Sequence, residues 1–260
     1  MTETSQGETA TPRRSSVRRT AQVMSAFTTQ SRWGVRELAG HLEIPKSGLH
    51  RTLQELATES LLVADDDGTY ELGGDMLRLA GGLLQTASLP RAARPHIRRA
   101  RDVTSESVFL VAYDDGRQQI VAVDTVMSPH PIQFLWSALS EWTDLHLSAS
   151  GLGVLAALPP EDLERYFSVP RVDGEGNALN LAAFTPVLEE VRSRGWAMTR
   201  SQRIAGSTGV SAAVRDGRGD VRGAVVIAWP DRGGSAADAD SIGRAAAEAA
   251  SKTSAALGWS

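Results

Sequence analysis

The 260-residue sequence contains no cysteine, which excludes disulfide bonds and thiolate metal sites. It also has no apolar run of about 18 residues, the length that a membrane-spanning helix needs. The N-terminal stretch is polar and does not resemble a signal peptide. We therefore expect a cytoplasmic protein that makes no membrane contact. The 42% hydrophobic content suffices for a buried core, and the length leaves room for two domains.

Motifs for catalysis are also missing. The chain has neither G-x-S-x-G nor H-E-x-x-H, and its five histidines are scattered. Gly151, Gly153 and Ala156 match the dinucleotide pattern G-x-G-x-x-A, but no βαβ unit surrounds them. His146 beside Ser148 is the only imidazole–hydroxyl pair in the second half. Because no third group accompanies it, we interpret it as structural or ligand-facing. We expect no catalytic residue, metal or cofactor.

Charge is unevenly distributed along the chain. The net charge of −4 argues against a protein that coats nucleic acid over its whole surface. Residues 11–56, however, carry eight basic side chains against three acidic ones, a local net charge of +5. This basic segment is where we expect nucleic acid to bind.

Residues 34–73 have the pattern of a winged helix-turn-helix. Apolar residues recur with helical spacing from Val35 to Leu42, after Gly34 as the N-cap, and Pro45 ends this first helix. A second helix begins at Lys46 and buries Leu49, Leu53 and Leu56. Two short β segments around the turn 65–68, with its Asp and Gly residues, then predict a hairpin.

The outward stripe of the second helix is rich in hydrogen-bond donors. It comprises Lys46, Ser47, His50, Arg51 and Gln54. A short helix with an apolar back and a donor-rich front suits the major groove of DNA. The alternative is an ordinary helical pair with solvated charges, which the adjacent hairpin and the local positive charge disfavour.

We divide the chain into four segments. Residues 1–15 lack apolar periodicity and form a disordered arm, and residues 16–74 form the winged helix-turn-helix domain, whose first helix spans about 16–28. Residues 75–88 form a linker helix that is apolar over a broad sector. Such a helix packs on its own domains or pairs with a second copy, and we favour the second copy.

Residues 89–260 change from helical to alternating patterns. After a helix to about residue 105, paired strands are predicted at 108–123 and at 211–228, with single strands near 132–137 and 196–202. Helices are predicted at 148–158, 161–166 and 184–194, and after Ser235. Strands joined by turns, with helices between and after them, predict an α+β domain on a mainly antiparallel sheet.

Two groups of small residues in this domain are candidates for ligand binding. Ser148–Gly153, which includes Gly151, opens a helix with free N–H groups. The segment Ser207, Thr208 and Gly209 adds two hydroxyls and an open backbone. Trp136 and Trp142 could stack on a flat ligand. The alternatives, close helix–sheet packing for the small residues and core or dimer packing for the tryptophans, remain open.

Four segments together resemble the IclR family of bacterial transcriptional regulators: RELAGHLEIPKSGLHRTLQEL, YELGGDMLRLA, LHLSASGLGVLAAL, and Gly206–Gly219 with VRGAVVIAWP. Their order and spacing cover nearly the whole chain. The resemblance implies a linker helix used in dimerisation and a GAF/profilin-like effector-binding domain. It also implies dimers or tetramers that bind a small organic molecule. The sequence departs from the family at Gly209, usually a cysteine, and at Ala213, often a proline, so the identity of the effector stays open.

We predict an effector-controlled DNA-binding regulator, with repression favoured over activation. The expected DNA contacts are Arg18, Arg19, Arg36, Lys46, Ser47, His50, Arg51 and Gln54. The resemblance adds 145–149 and 206–212 to the pocket, so the expected effector contacts are Trp136, Trp142, His146, Ser148, Ala149, Gly151, Ser207, Thr208, Gly209 and Val210. The alternatives are a small-molecule-converting enzyme that retains a DNA-binding head, and a protein-interaction module with a vestigial helix-turn-helix.

Overall fold

The computed structural model describes residues 16–86, 88–130, 141–231 and 236–260. The predicted arm at 1–15 lies outside these residues, and so does the predicted strand at 132–137. The chain separates into two units, Met1–Gly82 and Leu83–Ser260. None of the helices described by the structure is both long and apolar enough to cross a lipid bilayer.

The N-terminal unit contains the predicted helix-turn-helix. Its helices are α1 (Ser16–Ala26), α2 (Val35–Leu42) and α3 (Lys46–Thr58). The chain reverses after α2 because Glu43 adopts a left-handed conformation, with φ of 52°, and the Ile44 N–H donates to the Ala39 carbonyl at 3.1 Å. Ile44 is buried, which completes a Schellman-type helix end. This turn fixes α3 against α2.

A small antiparallel sheet completes this unit. Its strands are β1 (Arg32–Gly34), β2 (Leu62–Ala64) and β3 (Thr69–Leu72), in the order β1-β3-β2. The predicted hairpin is β2–β3, whereas β1 was not predicted. Gly73 follows β3 so closely that a Cβ there would lie 2.2 Å from the Ser60 carbonyl oxygen. The chain continues into the linker helix α4 (Gly74–Thr86).

A six-stranded antiparallel sheet organises the C-terminal unit, in the order β6-β5-β4-β11-β10-β9. Its strands are β4 (Ser107–Asp114), β5 (Gln119–Val126), β6 (Thr143–Asp144), β9 (Ala197–Arg200), β10 (Ser207–Arg215) and β11 (Val221–Pro230). A separate two-stranded hairpin, β7 (Arg171–Val172) and β8 (Ala178–Leu179), was not predicted. The α+β class expected from the sequence is confirmed.

Helices cover both faces of the large sheet. They are α5 (Ser88–Thr104) and α9 (Ala236–Ala256) on one face, and α6 (Ala149–Ala157), α7 (Pro160–Phe167) and α8 (Leu181–Arg194) on the other. Side chains alternate along each strand, so Val108 and Leu110 pack toward α5 and α9 while Phe109 and Val111 pack toward α6. Both faces of the sheet are therefore apolar.

The start of strand β10 affects the candidate ligand site. The sequence predicts a strand from Ser211 and an open backbone at Ser207–Gly209, but β10 begins at Ser207. Gly209 pairs with Thr199 of β9 and with Ala228 of β11. Strand alternation, not loop geometry, therefore decides which of these side chains can reach a ligand.

Candidate nucleic-acid interface and effector cavity

The outer face of α3 is exposed, as a DNA-reading helix requires. Leu49, Leu53 and Leu56 are buried beneath it, with Leu49 and Leu53 fully inaccessible. The five predicted contacts lie on the opposite side and are all exposed: Lys46, Ser47, His50, Arg51 and Gln54. The 3.6-residue period that buries the leucines places these donors together.

Most of these donors have no partner among the described residues. The exception is Arg51, whose Nε donates to Glu55 at 2.9 Å, one helical turn away. The side chains of this pair are 83% and 64% exposed, and such exposed pairs contribute roughly 0–1 kcal/mol. Arg51 can therefore exchange Glu55 for a base or a phosphate at little cost.

The three arginines predicted outside α3 have different surroundings. Arg36 is exposed on α2 and has no partner in the described part of the chain, and Arg18 is exposed on α1. Arg19 is half-buried, and its Nη1 donates to the Gly48 carbonyl at 3.4 Å. Arg19 therefore links α1 to the first turn of α3 instead of standing free for a phosphate.

The hairpin beside α3 is acidic and is held by one arginine. Arg32 of β1 contacts Asp65 at 2.6 Å, Glu71 at 2.7 Å and Asp67 at 3.5 Å. These carboxylates, above all the hydrogen-bonded Glu71, raise the pKa of the Arg32 guanidinium. A hydrogen bond from the Thr69 hydroxyl is the main cause that lowers the pKa of Asp67.

A cavity of about 50 Å³ lies at the N-terminus of α6, in the C-terminal unit. Its lining comes from the start of α6, from β9 and the turn after it, and from β10 and β11. The lining residues are Ser148, Ala149, Ser150, Thr199, Gln202, Arg203, Ile204, Ser207, Thr208, Gly209, Val226 and Ala228. Of the ten predicted effector contacts, five are in this set: Ser148, Ala149, Ser207, Thr208 and Gly209.

Arg203 gives this cavity a positive charge. Its Nη1 is buried without a hydrogen-bond partner among the described residues, and burial lowers the pKa of the group. Arg203 was not predicted to line a ligand site, because its position depends on the turn between β9 and β10. No spacing motif marks that turn. The charge of Glu141 offsets part of the effect of burial on the pKa, but the buried Nη1 still lacks an acceptor, and a guanidinium in that position favours an anionic partner.

Several other polar groups around the cavity are hydrogen-bonded within the protein, whereas the Thr208 hydroxyl is buried without a partner in the described residues. The Ser148 and Ser150 hydroxyls lie 2.7 Å apart, and the Ala149 N–H donates to the Thr199 hydroxyl at 3.0 Å. Gln202 Nε2 donates to the His146 carbonyl at 3.3 Å. The first N–H of α6 is therefore occupied, which leaves Arg203 as the clearest vacant donor in the wall.

His146 does not line the cavity. Its Nε2 lies 2.8 Å from the Val172 carbonyl, which can only accept, so Nε2 carries the proton. Neutral Nδ1 then accepts from the Tyr166 hydroxyl at 2.7 Å, and that hydroxyl accepts from the His146 backbone N–H at 3.3 Å. Burial raises the pKa of Tyr166 to about 12, so the hydroxyl keeps its proton. Both ring nitrogens are therefore hydrogen-bonded within the protein.

Two other predicted effector contacts, Gly151 and Val210, have packing positions. A Cβ on Gly151 would lie 2.2 Å from the Leu145 carbonyl oxygen, so this glycine allows α6 to approach the preceding turn. Val210 is fully buried on the sheet face covered by α5 and α9, away from α6. Thr208 lines the cavity although it has the same place as Val210 in the strand alternation, and its hydroxyl is buried without a partner in the described residues.

Trp142, one of the two predicted tryptophans, does not line the cavity. Trp142 is 40% exposed and stacks against Arg117, whose Cζ is 4.6 Å from the ring centroid. Trp136 lies outside the described residues. Stacking of a flat ligand on these two rings stays a prediction from sequence.

A larger cleft of about 1110 Å³ lies at the other end of α6. Tyr113, Asp162, Arg192 and Arg215 contribute to its wall. The two arginines are already bonded, Arg192 to the Ala156 carbonyl and Arg215 to the Ala157 carbonyl, so they cap the C-terminus of α6. The described residues contain no group of three histidine or carboxylate side chains arranged to hold a metal ion.

Comparison with known proteins extends these observations. Residues 16–66 match the family model described as the IclR helix-turn-helix domain, and residues 82–255 match the model of the bacterial transcriptional regulator IclR C-terminal domain. The chain is 26% identical over 222 residues to a Halobacterium salinarum protein named "Probable HTH-type transcriptional regulator ArcR". That alignment covers 84% of each protein.

Solved structures share the fold. An IclR transcriptional regulator from Alicyclobacillus acidocaldarius superposes with a TM-score of 0.81 at 18% identity, covering 94% of this chain and 98% of that one. An IclR homologue from Microbacterium hydrocarbonoxydans, in complex with 4-hydroxybenzoate, gives a TM-score of 0.76 at 22% identity, with coverage of 94% and 99%.

Proposed function

The chain belongs to the IclR family of bacterial transcriptional regulators, and we propose that it represses transcription by binding an operator through the outer face of α3. The exposed donors on a leucine-backed helix are the observation that carries this proposal. Arg51 and Lys46 suit guanine edges and Gln54 suits adenine, while Ser47 and His50 can donate to bases or phosphates. Arg36 and Arg18 add attraction that is independent of sequence.

The experiment is a mobility-shift assay on duplexes that cover the DNA flanking the protein's own gene, with an unrelated duplex as competitor. We expect a specific complex whose affinity falls steeply between about 50 and 200 mM salt, because phosphate contacts release counterions. A complex insensitive to salt, or equal affinity for the unrelated duplex, would contradict the proposal. A reporter behind the bound DNA tests the sign of regulation, since loss of a repressor raises expression.

We propose further that the cavity at the N-terminus of α6 binds the effector and that Arg203 pairs with an anionic group on it. A cavity of about 50 Å³ accommodates roughly three or four water molecules, so it fits a ligand of few heavy atoms unless the wall moves. A carboxylate would provide the acceptor that Arg203 Nη1 lacks.

Isothermal titration with small carboxylates and with their uncharged amides tests this assignment. We expect carboxylates to bind and amides to fail, and we expect Arg203→Gln to remove the preference. Arg200→Gln is the matched control, because Arg200 pairs with Asp231 at 3.4 Å and is not among the residues that line the cavity. Equal binding of acid and amide by the wild type would contradict the role of Arg203.

The oligomer is a third part of the proposal. The linker helix α4 exposes Leu77, Leu79 and Leu83, at 79%, 49% and 67%. Exposed leucines within two helical turns favour burial against a second copy, so we propose a homodimer that joins through α4 and delivers two heads to one operator. A ligand that favours one arrangement of the two heads then changes operator affinity.

An enzyme that retains a DNA-binding head is the alternative. His146, the candidate base beside Ser148, has both ring nitrogens bonded, one to Tyr166 and one to Val172. Loss of turnover of a carboxylate, ester or hydrazide in His146→Ala or Ser148→Ala, in protein that still folds, would support the enzyme.

A further inference from the structure

Basic and acidic side chains lie in different parts of the N-terminal unit. Residues 11–56 are basic, yet residues 16–73 carry six basic side chains against eight acidic ones. The acidic wing, which we define as residues 62–72, contains Asp65, Asp66, Asp67 and Glu71 and no basic residue. The wing therefore has a charge of the same sign as the DNA backbone.

Among the residues that the structure describes, Arg32 is the single cation paired with this wing. It lies directly across from Glu71 in the β1–β3 register, and it contacts Asp65, Asp67 and Glu71. Its side chain is half-exposed and would be a natural phosphate contact if it were unpaired. Three carboxylates instead hold it, and the five N–H donors of its planar guanidinium allow it to bond several of them at once.

The remaining charge of the wing is uncompensated. Asp66 is exposed at the tip and has no hydrogen bond or ion pair among the described residues. One arginine against four carboxylates leaves a net charge of −3 on this group. At 0.1 M salt charges act over about 10 Å, so a wing near the duplex meets repulsion from the phosphates.

We propose that Arg32 is a positioning residue withheld from DNA, and that the acidic wing it holds in place lowers affinity for unrelated DNA. The wing thereby leaves discrimination to α3, because repulsion that is independent of sequence weakens every complex equally while base contacts strengthen only the correct one. This inference rests on the proposed function, since it assumes that the head binds DNA.

The test compares four full-length proteins on an unrelated duplex and on the flanking DNA, with affinity measured by fluorescence anisotropy over a range of salt. They are the wild type, Arg32→Gln, the wing triple Asp65→Asn/Asp67→Asn/Glu71→Gln, and the triple combined with Arg32→Gln. Arg36→Gln calibrates the slope, because Arg36 is exposed and unpaired in the described structure. Thermal unfolding confirms that each variant is folded.

We expect Arg32→Gln alone to leave the salt slope unchanged, because Arg32 touches no phosphate in the wild type. The triple should bind the unrelated duplex about three- to tenfold more tightly, with a slope steeper by about 0.9 as the released Arg32 gains one phosphate. Adding Arg32→Gln to the triple should abolish the extra slope.

Two results would overturn the inference. A slope reduced by about 0.9 in Arg32→Gln alone would show that Arg32 already contacts a phosphate. Unchanged affinity of the triple for the unrelated duplex would show that the wing charge does not reach the DNA. Failure of the proposed function looks different, since the wild type itself would then show no salt-dependent binding to either duplex.

Discussion

At the scale of single residues, His146 and Tyr166 illustrate how a polar pair can belong to the core. His146 is 3% exposed and Tyr166 is fully buried, and their hydrogen bonds extend to the Val172 carbonyl. This arrangement satisfies every polar atom of the imidazole and fixes its tautomer. The pair therefore anchors the 3-10 turn Leu145–Leu147, which precedes α6, to the hairpin β7–β8. It lies outside the cavity at the N-terminus of α6.

Replacing His146 by alanine should destabilise the C-terminal unit by about 2–4 kcal/mol, because the change leaves a cavity and an unpaired Tyr166 hydroxyl. Denaturant titration measures the loss. The matched control is His50→Ala on the exposed face of α3, where a change within about 0.5 kcal/mol is expected. Equal losses in the two variants would contradict the structural role of His146.

Two glycines near the cavity should respond differently to alanine. A Cβ at Gly209 would lie 3.7 Å from the Ala149 Cβ, an ordinary contact, whereas at Gly151 it would collide with the Leu145 backbone. We expect Gly209→Ala to unfold within about 1 kcal/mol of the wild type and to lose effector binding, because its methyl group fills the cavity. Gly151→Ala should lower the unfolding midpoint. Undiminished binding by Gly209→Ala would place the effector elsewhere.

His96 on α5 provides a prediction on pH. Burial, and then the charge of Lys252, lowers the pKa of His96 below its ordinary value of 6.5. The unfolded chain therefore binds this proton more readily than the folded one, so stability falls as the pH drops below about 6.5. His96→Gln should reduce that decline in the unfolding midpoint between about pH 7 and 5. An unchanged decline would assign the dependence to other groups.

At the scale of elements, the long periodic helices could be predicted from sequence and the short strands could not. The bounds of α3 and α6 follow from local periodicity and from Pro45 and Pro159, which are visible in a single segment. Strand β1 has three residues and exists because it pairs with β3, about 38 residues away. The start of β10 likewise depends on β9 and β11.

Of the two candidate sites, one was predictable from sequence and the other was predictable only in part. The outer face of α3 was predictable because one helical period places all of its residues. The cavity was predictable only in part, because strand alternation turns Val210 toward the opposite sheet face and the β9–β10 turn adds Arg203. Neither effect leaves a pattern in the sequence around those residues.

The prediction on oligomeric state concerns helix α4. Leu77→Glu should weaken the proposed dimer, because burial of a carboxylate against a second copy is unfavourable. Sedimentation velocity should show a shift toward monomer. Val103→Glu is the control, because Val103 is 68% exposed on α5, directly after Asp102 and one helical turn after Arg99. A wild type that is monomeric at micromolar concentration would contradict the dimer.

At the scale of the whole molecule, the chain joins a DNA-binding head to a domain with a small, positively charged cavity. Coupling between two such sites is commonly about 1–3 kcal/mol, or roughly 5- to 150-fold in affinity. Linkage is reciprocal, so operator DNA should change the affinity for the effector by the same factor that the effector changes the affinity for the operator.

The central claim is that the outer face of α3 reads DNA sequence, and the ratio of affinities for the flanking DNA and an unrelated duplex tests it most directly. We compare the wild type with Arg51→Gln and with Arg98→Gln, which removes an exposed arginine from α5. The account predicts that Arg51→Gln reduces the ratio about 5- to 150-fold, as loss of one bidentate base contact would, while Arg98→Gln leaves it unchanged. Equal ratios for the two variants would contradict it.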